Sequence, residues 1–147
     1  MCRWRHGELL VDVMPTREEI LGFSNRWYPL AIETADTVMV AGLAARIVRP
    51  ALFIATKLEA FRGRGGGDVV TSHDLEDVVM VIDGRPELVE EVETVSRPVR
   101  EYIAKALREL LANPDFVEAL PGFLLPDAAS QARRQSIERR MKRLAGL

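Results

Sequence analysis

The spacing of the apolar residues changes at Pro50, and that change constrains the fold more than any other feature of the chain. Before it, apolar residues come in short broken runs. Leu9 to Met14 is one, interrupted by Asp12, and Cys2 to Arg5 can pair with it through a turn at His6 and Gly7. Pro15 to Tyr28 reads as loop, or as a brief helix around Glu18 to Leu21. Ala31 to Glu33, Thr37 to Val40 and Ala45 to Val48 read as further short strands, with a turn near Gly42.

After Arg49 the period becomes helical, with Pro50 where a first helical position tolerates it best. Ile54, Leu58 and Phe61 share one face, and the loop from Gly63 to Asp68 ends that helix. Thr71 or Ser72 caps the next, whose Leu75, Val78, Val79 and Ile82 keep the spacing up to Gly84. Pro86 opens a helix with Leu88, Val92 and Val95. Beyond Pro98, Val99, Tyr102, Ile103, Ala106, Leu107, Leu110 and Leu111 form the clearest amphipathic stripe, closed by Asn113 and Pro114. A short helix near Phe116 to Leu120, an extended link through Pro121, Gly122 and Pro126, and a charged helix from Asp127 complete the layout. Strands early and helices late predict an α+β domain, a small sheet backed by helices and followed by a helical C-terminal part. Residues 1–49 hold the sheet in this reading and 50–147 the helices packed on it, as one compact unit.

A chain of 147 residues is long enough for one domain with a real core, and a net charge of −2 does not by itself imply a polyanion or membrane partner. From Asp127 onward six basic residues (Arg133, Arg134, Arg139, Arg140, Lys142, Arg143) face two acids, so this tail is either a solvated helix face or a surface that touches RNA phosphates. Cys2 is the one cysteine, and with only His6 and His73 beside it there is neither an internal disulfide nor a zinc-type ligand set. A reducing cytoplasm is the expected compartment. No apolar run approaches the length of a membrane span.

The residues suited to chemistry lie between Thr56 and Asp77, where a lysine-bearing helix, a glycine-rich loop and an acidic helix start follow one another. Lys57 reads either as a phosphate-seeking cation on a flexible stem or as a lysine snorkelling from the edge of a core helix. Arg62 and Arg64 either supplement it or are solvated. Gly65, Gly66 and Gly67 match neither a Walker-type nor a dinucleotide pattern and read as a connector. Asp74 and Asp77, three apart, can face one direction opposite the apolar stripe, but acids in a first turn also suit the helix dipole. Asp12 is a carboxylate within an apolar run, costly if buried without a partner or metal, and unremarkable if it lies on an exposed face.

The runs LLVDVMPT, ILGFSNRWYPLAIETA, ATKLEAFRGRG and SHDLEDVV, in this order and spacing over roughly residues 8–83, resemble the AbiEii-like nucleotidyltransferase toxins of abortive-infection and toxin–antitoxin systems. The resemblance implies that residues 1–49 are the remnant of a nucleotidyltransferase sheet. It implies Mg²⁺ and an NTP as cofactors and transfer of a nucleoside monophosphate to an RNA or protein acceptor. It also implies an antitoxin as protein partner, with neither membrane nor sequence-specific DNA binding. Asp12 is then the third metal-binding carboxylate, Lys57, Arg62 and Arg64 approach the nucleotide phosphates, and Asp74 takes an acid/base or orienting role beside Asp12 and Lys57.

The chain departs from the family in one respect. No Gly-Ser loop with paired aspartates precedes Asp12, and two-metal transfer needs several hard oxygen ligands. This chain alone is therefore not expected to catalyse the family reaction. It is expected to be the C-terminal part of a longer protein or a non-catalytic remnant acting as a binding module, with completion by another polypeptide as the third option. A truncated sheet is also expected to expose an unpaired edge.

Overall fold

The computed structural model describes residues 2–13, 16, 19, 25–63 and 68–147. The protein is α+β, with two small antiparallel sheets and eight α-helices among the described residues. The expected helix around Glu18 to Leu21 falls outside the described residues in all but Glu19, and the Gly65 to Gly67 loop falls wholly outside them.

The first sheet is the expected hairpin, β1 (Cys2–His6) and β2 (Leu9–Val13), in register from Cys2 opposite Val13 to His6 opposite Leu9. The second pairs β3 (Asp36–Val40) with β4 (Leu43–Ile47), with Val40 opposite Leu43. Its two-residue turn places both Ala41 and Gly42 at positive φ, 49° and 81°, the backbone that matches strand twist in a tight hairpin. The strands thus form two separate hairpins rather than one sheet. Between them, the expected strand Ala31–Glu33 is instead the end of α1 (Tyr28–Glu33). Pro29 suits a first helical turn, and a run this short cannot be told from a strand by period. Arg46 of β4 donates to the carbonyls of Ile32 and Glu33, so a strand side chain satisfies the open C-terminal end of α1.

The core belongs to the helices. α2 (Pro50–Gly63) buries Ala51, Leu52, Ile54, Ala55 and Leu58, and α3 (His73–Gly84) packs on it with Leu75, Val78, Val79 and Ile82, the stripe expected from spacing. Ser72 is the cap of α3, accepting from the Leu75 amide at 3.3 Å. Two further helices, α4 (Leu88–Thr94) and α5 (Arg97–Leu111), also rest on α2, and α5 carries the expected stripe with Leu107 fully buried. Then come α6 (Pro114–Ala119) and a 3₁₀ turn (Leu120–Phe123). The expected single terminal helix is two: α7 (Ala128–Ala132), capped by the Asp127 side chain, and α8 (Arg134–Ala145), which packs against α5, α3 and α4. No helix among the described residues is long and apolar enough to cross a membrane.

Asn25 ties the segment before α1 to this core. It is buried, its amide donates to the Thr56 carbonyl at 2.7 Å and its oxygen accepts from the Trp27 amide at 3.2 Å, so its two polar ends are both satisfied.

The hairpins contrast with the helices: Trp4, Met39 and Leu43 are 68, 68 and 74 % exposed. Stability should therefore be set by helical packing. Leu107→Ala is expected to cost about 2–5 kcal/mol in urea unfolding, whereas Met39→Ala should stay within about 0.5 kcal/mol of wild type; equal losses would contradict this division.

Candidate functional site

Packing of α2 on α3 brings Lys57 onto the first turns of α3. Its ammonium forms ion pairs with both Asp77 and Asp74, the latter at 3.5 Å, and sits 5.6 Å from the Phe53 ring centroid. Asp74 and Asp77 do share a face, as their spacing implies, and both meet the same cation. Their settings differ: the Asp74 side chain is 5 % exposed, that of Asp77 40 % and that of Lys57 29 %. Burial would lower the Lys57 pKa; the Asp77 carboxylate, with Asp74 after it, outweighs burial and holds it above the ordinary lysine value.

Asp12 is elsewhere. It lies opposite Arg3 in the first hairpin, where both of its oxygens accept from the guanidinium, at 2.6 and 2.8 Å. Every residue of β2 is exposed, so of the two readings of this carboxylate the exposed one holds; a cross-strand arginine and water satisfy its charge. The hydrogen bond from Arg3 is the main reason the Asp12 pKa is lowered. No hydrogen bond or ion pair joins Asp12 to Lys57.

Arg62 is held by Glu109 and stacks over the Tyr102 ring at 5.1 Å. Arg64 lies outside the described residues. His73 is exposed and meets Glu76 at 3.1 Å, a surface contact beside the cap.

A second cluster was not visible as spacing. Arg26 lies 4.4 Å from the Tyr102 centroid and 4.8 Å from that of Trp27, and it pairs with Glu59 at 3.4 Å. Trp27 and Tyr102 are core residues with centroids 5.1 Å apart. Two guanidiniums thus lie against one buried tyrosine ring. Burial, and after it the neighbouring Glu59 carboxylate, pushes the Tyr102 pKa up. Asp68 was missed as well: it accepts from the amides of Val70 and Thr71 at 3.0 and 2.9 Å and clasps the loop that enters α3.

The C-terminal basic stretch is largely engaged. Arg133 meets Asp83 at 2.9 Å, Arg134 meets Glu138 at 2.9 Å and Arg143 meets Glu90 at 3.1 Å. Arg140 donates to the carbonyls of Ile82 and Asp83, closing the C-terminal end of α3.

The implied magnesium ion does not fit the described residues as they stand. Octahedral Mg²⁺ wants several oxygen ligands, Asp12 has both oxygens on Arg3, and among the described residues no group of three or more His, Cys, Asp or Glu could hold a metal. Nor is Lys57 an uncompensated cation waiting for phosphate, since Asp77 and Asp74 already share it. Searches against protein-family models, curated proteins and solved structures give no match for this chain.

Because the folded-state pKa of Lys57 is raised, the stabilisation from its ion pairs is fully present below the ordinary lysine value and is lost as pH climbs through the raised one. The stability difference between wild type and Lys57→Met in urea melts is expected to be level from about pH 7 to about pH 9 and to shrink above about pH 10.4. A difference that instead shrinks between about pH 9 and about pH 7 would contradict the assignment of the charge to this contact.

Proposed function

We propose that the chain is part of a nucleotidyltransferase resembling the AbiEii-type toxins, contributing the helical scaffold and a fragment of the sheet to transfer of a nucleoside monophosphate from an NTP to an RNA or protein acceptor. One observation carries this reading: Lys57 and the Asp74–Asp77 pair, which belong to separate segments of the resemblance, meet across the α2–α3 interface. A lysine and a buried carboxylate held together at a helix start form a polar focus in an otherwise apolar contact. In this reading Lys57 leaves Asp77, the more exposed of its partners, to meet a phosphate, while Asp74 stays in place as the buried anchor of the site. The remaining carboxylates for metal come from outside the described residues, and so do strands that would cover the hairpins. The described residues alone are not a complete catalyst. A cytoplasmic setting, with an antitoxin as protein partner, belongs to the same proposal.

The exposed apolar residues of both hairpins favour a second reading, an interaction module that keeps the scaffold without chemistry. Trp4, Leu9 and Val13 on one hairpin, with Met39, Leu43 and Ile47 on the other, expose their apolar side chains to water on two-stranded sheets, which are at best marginally stable alone.

Thermal unfolding with NTP and magnesium chloride separates the two. At free nucleotide about five times Kd, linkage stabilises the folded state by about 1 kcal/mol, a rise of about 2–4 °C for a domain near this size. Wild type should show the rise, and Lys57→Ala, compared with itself in the absence of nucleotide, should show none. No rise in wild type at millimolar NTP would overturn the nucleotide site and leave the interaction module.

A further inference from the structure

We infer that the cleft between α5, α6 and α8 binds a small amphipathic carboxylate, with its apolar tail against the helices and its anionic head at Lys142. The cavity holds about 430 Å³, within the range of small-molecule sites, and its walls are Leu111, Phe116, Val117, Leu120 and Leu147. These walls have a structural reason to stand where they do. α8 ends in a left-handed cap, Gly146 at φ 72°, in which the Gly146 amide donates to the Arg143 carbonyl and the Leu147 amide to the Lys142 carbonyl at 2.9 Å. That turn brings Leu147 back along the helix to the cleft.

The polar groups at the cleft select the ligand. Glu138 is taken up by Arg134 at 2.9 Å, and Arg108 donates to the Ala145 carbonyl. Lys142 is exposed, and among the described residues its ammonium makes no hydrogen bond or ion pair, unlike Arg133, Arg134, Arg140 and Arg143 around it. The net result is an apolar hollow lined by two cations: Arg108, which spends a donor on the Ala145 carbonyl, and, at its mouth, the exposed Lys142, whose stem can lie along apolar surface and keep its charge in water. A carboxylate head at that mouth keeps its own hydration and gains the ammonium, whereas a head placed deeper would lose solvation without a partner. A cationic or neutral head gains nothing there. The size of the hollow suits an aliphatic chain, not a helix or a nucleic acid.

Decanoate, used below its micelle concentration, is the probe, and methyl resonances of Val117, Leu120 and Leu147 are the readout. Saturable shifts of these methyls with decanoate, and none with decyltrimethylammonium, are expected. Lys142→Glu should weaken decanoate binding about tenfold or more, and Ala112→Phe, which fills the hollow from an exposed position in its lining, should abolish it. Circular dichroism of both variants establishes that each is folded, and Lys142→Gln gives the charge effect without reversal. Wild type showing no saturable shift, or both amphiphiles binding alike with Lys142→Glu indifferent, would overturn the assignment.

Discussion

The structure depends on α2 packing by one face while carrying a charge at the edge of that face. Ile54, Ala55 and Leu58 are buried against α3, and α1, α4 and α5 rest on the same helix, so α2 cannot rotate to bring Lys57 fully into water without opening the core. A partly buried ammonium must then be matched, because desolvating a lone charge costs more than the surrounding contacts return. Asp77 and Asp74 supply the match from the first turns of α3, where a carboxylate also suits the positive end of the helix. The ion cluster and the apolar interface are therefore one arrangement, since each holds the other in register.

The other end of α3 obeys the same logic. Its open carbonyls are closed by Arg140 of α8, and Asp83 binds Arg133, so a helix that appears in the sequence as a short apolar stripe is tied to charged partners at both ends. Of the C-terminal arginines that a charge count presents as a solvated or RNA-facing tail, Arg133 and Arg140 are engaged in these ties, and Arg134 and Arg143 in ion pairs with Glu138 and Glu90. Among the described residues Arg139 and Lys142 are the basic side chains of this stretch without such a tie, and Lys142 is the one that lines the cleft.

Periodicity made the helices legible. Leu75, Val78, Val79 and Ile82, and the stripe from Val99 to Leu110, are buried where their spacing puts them, with Leu111 half-buried at the edge of its stripe, because a helix with one apolar face has one way to bury it. The hairpin at Gly7 was legible from a different signal, a glycine turn just before the apolar run from Leu9 with a short segment, Cys2 to Arg5, able to pair with it. Ala31 to Glu33 was not, since three residues cannot separate a period of two from one of 3.6. Among candidate site residues, the pairing of Asp74 with Asp77 followed from their separation of three, but their meeting with Lys57 is a tertiary fact about how α2 crosses α3. Asp12 was open to either reading because an apolar run does not say which strand face meets water; β2 is exposed along its length and Arg3, nine residues away, answers the charge. The stacking of Arg26 and Arg62 on Tyr102 joins residues far apart in the chain, and no local pattern announces it.

The most direct test of the account is zero-length carbodiimide crosslinking of the folded protein followed by peptide mass mapping, because that reagent joins an amine only to a carboxylate already in contact. The account predicts an amide between the Lys57 side chain and Asp77 or Asp74, formed in native protein and absent after unfolding in urea. Recovery of Lys57 only in uncrosslinked peptides, or joined to a carboxylate outside α3, would contradict the arrangement on which the candidate site rests.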